Sequence, residues 1–381
     1  MRSAEELIAK AVEETGLDDF GNGDWREGFE RLVASLNGEA SLTDLGAKIT
    51  AYRVRRLLGN RLRIEDAYRR NPEIAEEQIV APIFIIGLPR TGTTALSNLV
   101  AADPAIRSLR LWESLEPTPP PDDATQHDDP RIAATQAGLD AMDQVYPRMK
   151  ALYPQSATGP TECQDLLGAA FRTIHFDGMA RVPGYIEWVL GSDMRPAYRY
   201  HRRILKLLQW RSRPKLWHLK TPAHTLALDA LDDAYPDARF IWTHRDPAEV
   251  LGSVCSLIRY LRAMVSDRSD PAELAAAQLD LWSEAVRRGT DFRDRVGEDR
   301  FADVRNSDLS ARPIPTVRDA YGRLGLTLSQ EAEDAMRRHL AANPRGAHGT
   351  HDYSLADFGV DAARVRGCFA SYLDRFPTEG A

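Results

Sequence analysis

Ile83-Phe84-Ile85-Ile86-Gly87-Leu88-Pro89-Arg90-Thr91-Gly92-Thr93-Thr94 is the stretch on which the reading of this chain turns. Its four leading apolar residues read as a central strand of a parallel sheet, buried on both faces. Gly87 and Gly92 let the backbone turn tightly, and Ala95 to Val100 continues with helical spacing. A strand, a glycine-bearing loop and a helix N-terminus make an anion cradle. Unpaired backbone N–H groups and the positive helix end converge there on one point.

The spacing is almost that of the nucleoside triphosphate loop G-x-x-x-x-G-K-[ST], but Thr93 stands in the place of the lysine. That lysine reaches the β and γ phosphates while the next hydroxyl binds Mg²⁺, so a triphosphate loses its main counter-charge here. Arg90 instead supplies a cation inside the loop, and its planar fork suits a short, multi-oxygen anion. The residues leave three readings open: an anion site for something other than a triphosphate, a degenerate P-loop kinase or NTPase using ATP and Mg²⁺, and a turn without a ligand.

Two further segments have the same strand-then-cation form. Ala238-Arg239-Phe240-Ile241-Trp242-Thr243-His244-Arg245-Asp246-Pro247 reads as a strand leading into a helix, whose Val250, Val254, Leu257 and Leu261 make a one-faced apolar stripe. Ser253 lies two helical turns beyond Arg245. Arg245 alone suits a phosphate or a surface pair with Asp246 or Glu249. Leu216-Trp217-His218-Leu219-Lys220-Thr221-Pro222 is a short strand ending in lysine, with Pro222 placed to open a helix. Strands alternating with helices imply a parallel sheet covered on both faces, with ligands at the carboxyl ends of the strands. Arg90, Lys220 and Arg245 each follow a strand directly, so all three are expected on one edge.

With these motifs in place the chain resembles the sulfotransferases that use 3′-phosphoadenosine-5′-phosphosulfate (PAPS). Pro89-Arg90-Thr91-Gly92-Thr93-Thr94 is similar to their 5′-phosphosulfate loop, in the P-R-[ST]-G-T-T form of bacterial members and tyrosylprotein sulfotransferases. The resemblance covers roughly residues 80–375. It implies that Pro89, Arg90, Thr91, Gly92, Thr93 and Thr94 bind the donor, that Arg245 and Ser253 hold its 3′-phosphate, and that Lys220 touches the sulfonate in transfer. It also implies that the product is adenosine 3′,5′-bisphosphate (PAP). Positioning, together with cations at the leaving group, supplies the catalysis, so Arg90, Lys220 and the loop N–H groups are expected to serve without a metal. Arg345-Gly346 matches in part the element that binds the 3′-phosphate in cytosolic members; a linker before the last helix is the alternative reading.

The resemblance also points to a general base. Glu113, in Leu111-Trp112-Glu113-Ser114, stands close to where tyrosylprotein sulfotransferases keep a catalytic glutamate. Adjacent Trp112 offers apolar surroundings that raise a carboxyl pKa toward neutrality. Glu113 is therefore the expected base beside Lys220 and Arg90, with Glu116 and His175 as rivals.

The totals bound the rest. The chain has 381 residues, 28% charged and 43% hydrophobic, enough for a substantial core. A net charge of −7 argues against a nucleic-acid binder. Cys163, Cys255 and Cys368 are scattered without a C-x-x-C, which argues against a disulfide framework and a zinc site and for a reducing compartment. No secretory signal or membrane-length apolar run is read, so a cytoplasmic protein is expected.

The expected fold is α/β: a P-loop-like three-layer arrangement with a central parallel sheet. Residues 1–80 read as an N-terminal helical extension, in which Ser41-Leu42-Thr43-Asp44 resembles a capping box opening a long segment whose Lys48, Arg53, Arg55, Arg56 and Arg61 are expected on a solvated face. Residues 81–381 read as the sulfotransferase α/β domain, with 130–215 a helical, aromatic-rich insertion at the acceptor site. The expected activity is in-line sulfonate transfer from PAPS to a hydroxyl of a small molecule or lipid. A non-catalytic protein that binds adenosine bisphosphates is the alternative from another class. The oligomeric state and the acceptor stay open.

Overall fold

The computed structural model describes residues 2–212, 215–344 and 354–378. Its centre is a five-stranded parallel sheet of β1 (Ile83–Gly87), β2 (Ile106–Ser108), β3 (Leu216–Lys220), β4 (Arg239–His244) and β5 (Phe301–Arg305), in the order β2-β3-β1-β4-β5. β1 is buried at every position, as its unbroken apolar run requires. Its alternating side chains feed two separate cores. Phe84 and Ile86 join Leu219, Phe240 and Trp242 on one face. Ile83 and Ile85 join Leu96, Ile241, Val304 and Val317 on the other. Helices cover both faces, giving the three layers expected.

The helix after β1, Thr93–Ala101, packs into the second core through Leu96, Leu99 and Val100. The helix after β4, Pro247–Arg262, packs into the first through Val250, Leu251 and Val254. Neighbouring strands thus send their helices to opposite faces, which opens a crevice beyond their carboxyl ends.

The first 80 residues form the helices Ala4–Thr15, Arg26–Gly38 and Asp44–Arg70. Leu7, Phe29, Leu32 and Leu58 from these helices are continuous with the core under the sheet. Thr43 caps the long helix by accepting from the Gly46 amide. One expectation fails here. Arg61 is not on a solvated face; it is 1% exposed, and its guanidinium donates to the carbonyls of Phe20, Asn22 and Ala169. The arginine pattern of a helix does not reveal that a loop's carbonyls will be folded over one of its members.

Candidate active site

The loop after β1 is shaped by two glycines in conformations that other residues avoid. Gly87 has φ +123°, and a Cβ there would lie 2.5 Å from the Thr243 carbonyl of β4. Gly92 has φ +91° and starts the helix Thr93–Ala101, which has no side-chain cap. Its first-turn N–H groups therefore have no competing side-chain acceptor. Between the glycines, Arg90 is also left-handed, at φ +64°. Its carbonyl accepts from the Arg245 guanidinium at 3.1 Å. Its own guanidinium donates to the Ser253 hydroxyl at 3.1 Å and to the Leu152 carbonyl at 3.0 Å. Arg90 in the loop after β1, Arg245 just past β4 and Ser253 in the helix after β4 are thereby joined at one edge of the sheet.

A cleft of about 350 Å³ opens at this edge, lined by Pro89, Arg90, Gly92, Thr93, Thr94 and Arg245. Its other end is mainly apolar, with Leu257, Ile258 and Leu261 of the helix after β4 and Leu281 and Trp282 of the helix Pro271–Val296, but it also carries Asp177 and Gln278, the Gln278 amide donating to the Asp177 carboxylate at 2.9 Å. Lys220, the last residue of β3, is 2% exposed. Its ammonium lies 2.8 Å from Glu162 Oε1 and 3.5 Å from Thr94 Oγ1. Glu162 lines the cleft and is also held by Gln164 at 2.9 Å. Burial pushes the Glu162 pKa up. The Lys220 ammonium, with hydrogen bonds from Lys220 and Gln164, more than offsets this and holds the carboxyl below its ordinary value. His175 lines the cleft too; burial lowers its pKa against the pull of Asp165 and Glu162, so it is neutral at pH 7.

Other expected residues sit differently. Thr91 is fully buried, its hydroxyl donating to the Leu88 carbonyl at 2.7 Å and meeting Thr243 Oγ1 at 2.5 Å. Its side chain holds the loop together and does not face the cleft. Glu113 is fully buried away from the cleft. One carboxylate oxygen accepts from the Arg110 amide at 3.0 Å and the other from the Arg107 guanidinium at 3.1 Å. The position expected to hold a base is thus occupied by an internal ion pair that caps a short helix. Arg345 and Gly346 lie outside the described residues. Tyr153, Ile174 and His175 of the 130–215 region line the cleft, whereas Phe171, Phe176 and Tyr185 belong to the core. Sequence reading missed Glu162, Gln164 and Asn306. Glu162 lies in an irregular segment without any motif, and only the bond to Lys220 marks it. The Asn306 amide donates to the Thr91 carbonyl at 3.1 Å and so supports the loop from the end of β5.

The fold is the α/β arrangement of a P-loop-like transferase, with a glycine-bearing loop and three cationic side chains at the carboxyl ends of its parallel strands. The chain belongs to the sulfotransferase family, whose profile matches residues 82–330. It is similar to the omega-hydroxy-beta-dihydromenaquinone-9 sulfotransferases Stf3 of Mycobacterium bovis and Mycobacterium tuberculosis, at 28% identity over 291 residues, 73% of this chain and 71% of each relative. Among solved structures it resembles sulfotransferase STF9 from Mycobacterium avium, with TM-score 0.93 and 31% identity over 100% of this chain and 98% of that one. Sulfotransferase STF1 from Mycobacterium tuberculosis H37Rv gives TM-score 0.88 and 36% identity, over 97% and 99%. The expectation of a bacterial sulfotransferase is borne out, and the enzyme moves a sulfonate group. Family membership displaces the kinase reading. Among the described residues, no helix is long and apolar enough to cross a membrane.

Proposed function

We propose that this enzyme transfers sulfonate from PAPS to the hydroxyl of a long, largely apolar alcohol. The observation that carries the reading is the junction of Arg90, Arg245 and Ser253 beside an uncapped helix start, at the head of a cleft whose far end is mainly apolar. The 5′-phosphosulfate sits against residues 89–94, and Arg245 with Ser253 takes the 3′-phosphate. Lys220 reaches the oxygen that bridges sulfur and phosphorus. The acceptor oxygen attacks sulfur in line, the bond to the phosphate oxygen breaks, and Lys220 and Arg90 stabilise the charge that develops there. Glu162 is the general base: it is the cleft carboxylate bound directly to Lys220, and it takes the acceptor proton. Side chains alone suffice for each of these steps. The Stf3 relatives are named for an ω-hydroxylated dihydromenaquinone, and an acceptor of that kind, a polar terminus on an apolar body, suits Leu257, Leu261 and Trp282.

The test is a thermal-shift comparison of PAP with ATP, each with and without Mg²⁺, followed by turnover of PAPS with ω-hydroxylated lipids. Stabilisation by PAP without metal and sulfation of the lipid are expected. A shift with ATP and Mg²⁺ alone overturns the donor assignment. PAP binding with no sulfation of any long-chain alcohol overturns the acceptor assignment.

A further inference from the structure

Behind the cleft, three possible metal ligands from three separate elements meet in the interior. Cys163 follows Glu162, His201 comes from the helix Arg195–Gln209, and His224 from the short helix Pro222–Ala227 beyond β3. All three are fully buried, and one ligand atom from each lies within 4.8 Å of the others. Tyrosine hydroxyls hold both rings by Nδ1: Tyr235 on His201 at 2.7 Å and Tyr198 on His224 at 2.8 Å. The other nitrogen of each ring, Nε2, is buried without a hydrogen-bond partner. Buried polar atoms are rarely left in that state. Rings oriented through their outer nitrogen are the usual support of a metal-binding histidine.

The charge balance selects the ion. The pocket is walled by Phe84, edge-on to His224 at 5.0 Å between ring centres, and by Tyr198 and Tyr235. A thiolate with two neutral imidazoles carries one negative charge, so a monovalent ion leaves no net charge and a divalent ion leaves one uncompensated in an apolar interior. No fourth His, Cys, Asp or Glu joins the cluster among the described residues, whereas structural zinc takes four ligands. Soft, low-coordinate thiolate and imidazole donors suit Cu(I). We propose that Cys163, His201 and His224 form a three-coordinate site for a monovalent copper ion. The Cys163 amide donates to the Lys220 carbonyl at 2.9 Å, so a bound ion ties the segment carrying Glu162 to β3 and the helix Arg195–Gln209. The site does not depend on the acceptor or on the donor assigned above.

The probe is the metal alone. Full-length protein with Cys368→Ser, which removes the exposed thiol, is produced in cells supplied with copper or with zinc. Metal per chain, Cu(I) affinity by anaerobic chelator competition, and copper-edge X-ray absorption are then measured. About one copper per chain is expected, surviving competition, with one sulfur and two nitrogens around it and a raised thermal midpoint. Adding Cys163→Ser should cut retained copper at least tenfold, while Cys255→Ser should leave it unchanged. Copper no higher than in the Cys163→Ser variant, a shell without sulfur, or preferential filling by zinc would each overturn the proposal. Should Cys163→Ser fail to fold, the absorption spectrum of the parent decides.

Discussion

Lys220 and Glu162 hold one another at 2.8 Å in a setting where the ammonium is 2% exposed. In the mechanism proposed above, the donor's anion competes for that ammonium, and as Lys220 turns to it Glu162 is released to accept a proton. Glu162→Gln is accordingly expected to lower kcat by roughly 10²–10⁴-fold, with PAP affinity by calorimetry changed only a few-fold. Glu113→Gln should do the reverse. It leaves Arg107 facing a neutral amide in the interior, a loss of about 3–5 kcal/mol in stability for a broken buried pair, seen as a lowered Tm. Its kcat per folded enzyme should stay within a few-fold, and a variant that folds normally yet is inactive would restore Glu113 as the base. At Arg245 the effect should fall on the donor. Arg245→Ala is expected to weaken PAP by about 1.5–3 kcal/mol, the range for a charged hydrogen bond. Binding of adenosine 5′-phosphosulfate, which lacks the 3′-phosphate, should hardly change; equal losses for both nucleotides would remove Arg245 from the 3′ site.

The loop between β1 and its helix works because its backbone is tightly specified. Gly87 passes so close to β4 that no side chain fits, and its φ of +123° suits glycine alone. The left-handed turn at Arg90 is held by the Arg245 bond to its carbonyl, while Thr91 and Asn306 tie the following peptide from within. Gly87→Ala combines backbone strain with a clash. It should lower unfolding free energy by more than about 1 kcal/mol, the low end for one strained residue, and should also weaken PAP binding. A urea denaturation midpoint equal to that of the parent would show that the loop tolerates a Cβ. Recognition of the elements was uneven. β1, β3 and β4 are legible because each is an apolar run that meets a punctuating Gly, Lys or Arg. β2 is not legible, since Ile106-Arg107-Ser108 is three residues at the sheet edge and takes its strand character from pairing with β3.

Across the whole molecule, the cleft exists because the helices after β1 and β4 pack on opposite faces of the sheet. Its apolar end is shared between two helices, with Leu261 on one and Trp282 on the other. If that end holds the acceptor chain, kcat/KM should rise about fourfold for each added methylene until the cleft is filled, following about 0.8 kcal/mol per buried CH₂. Leu261→Asn should flatten that series and raise the acceptor KM while leaving the Kd for PAP unchanged. A chain-length series that is already flat in the parent enzyme would place the acceptor elsewhere.

From sequence alone came the strand–glycine loop–helix unit at residues 83–100, the parallel sheet and the gathering of Arg90, Lys220 and Arg245 on one edge. Those features are local or follow from topology: each motif is contiguous, and parallel strands must present their carboxyl ends on the same side. Tertiary structure alone decided that Arg61 and Glu113 are interior, that Glu162 meets Lys220, and that Cys163, His201 and His224 converge. Each of those depends on segments far apart in the chain coming within a few ångströms, and neither periodicity nor spacing along one segment carries that distance.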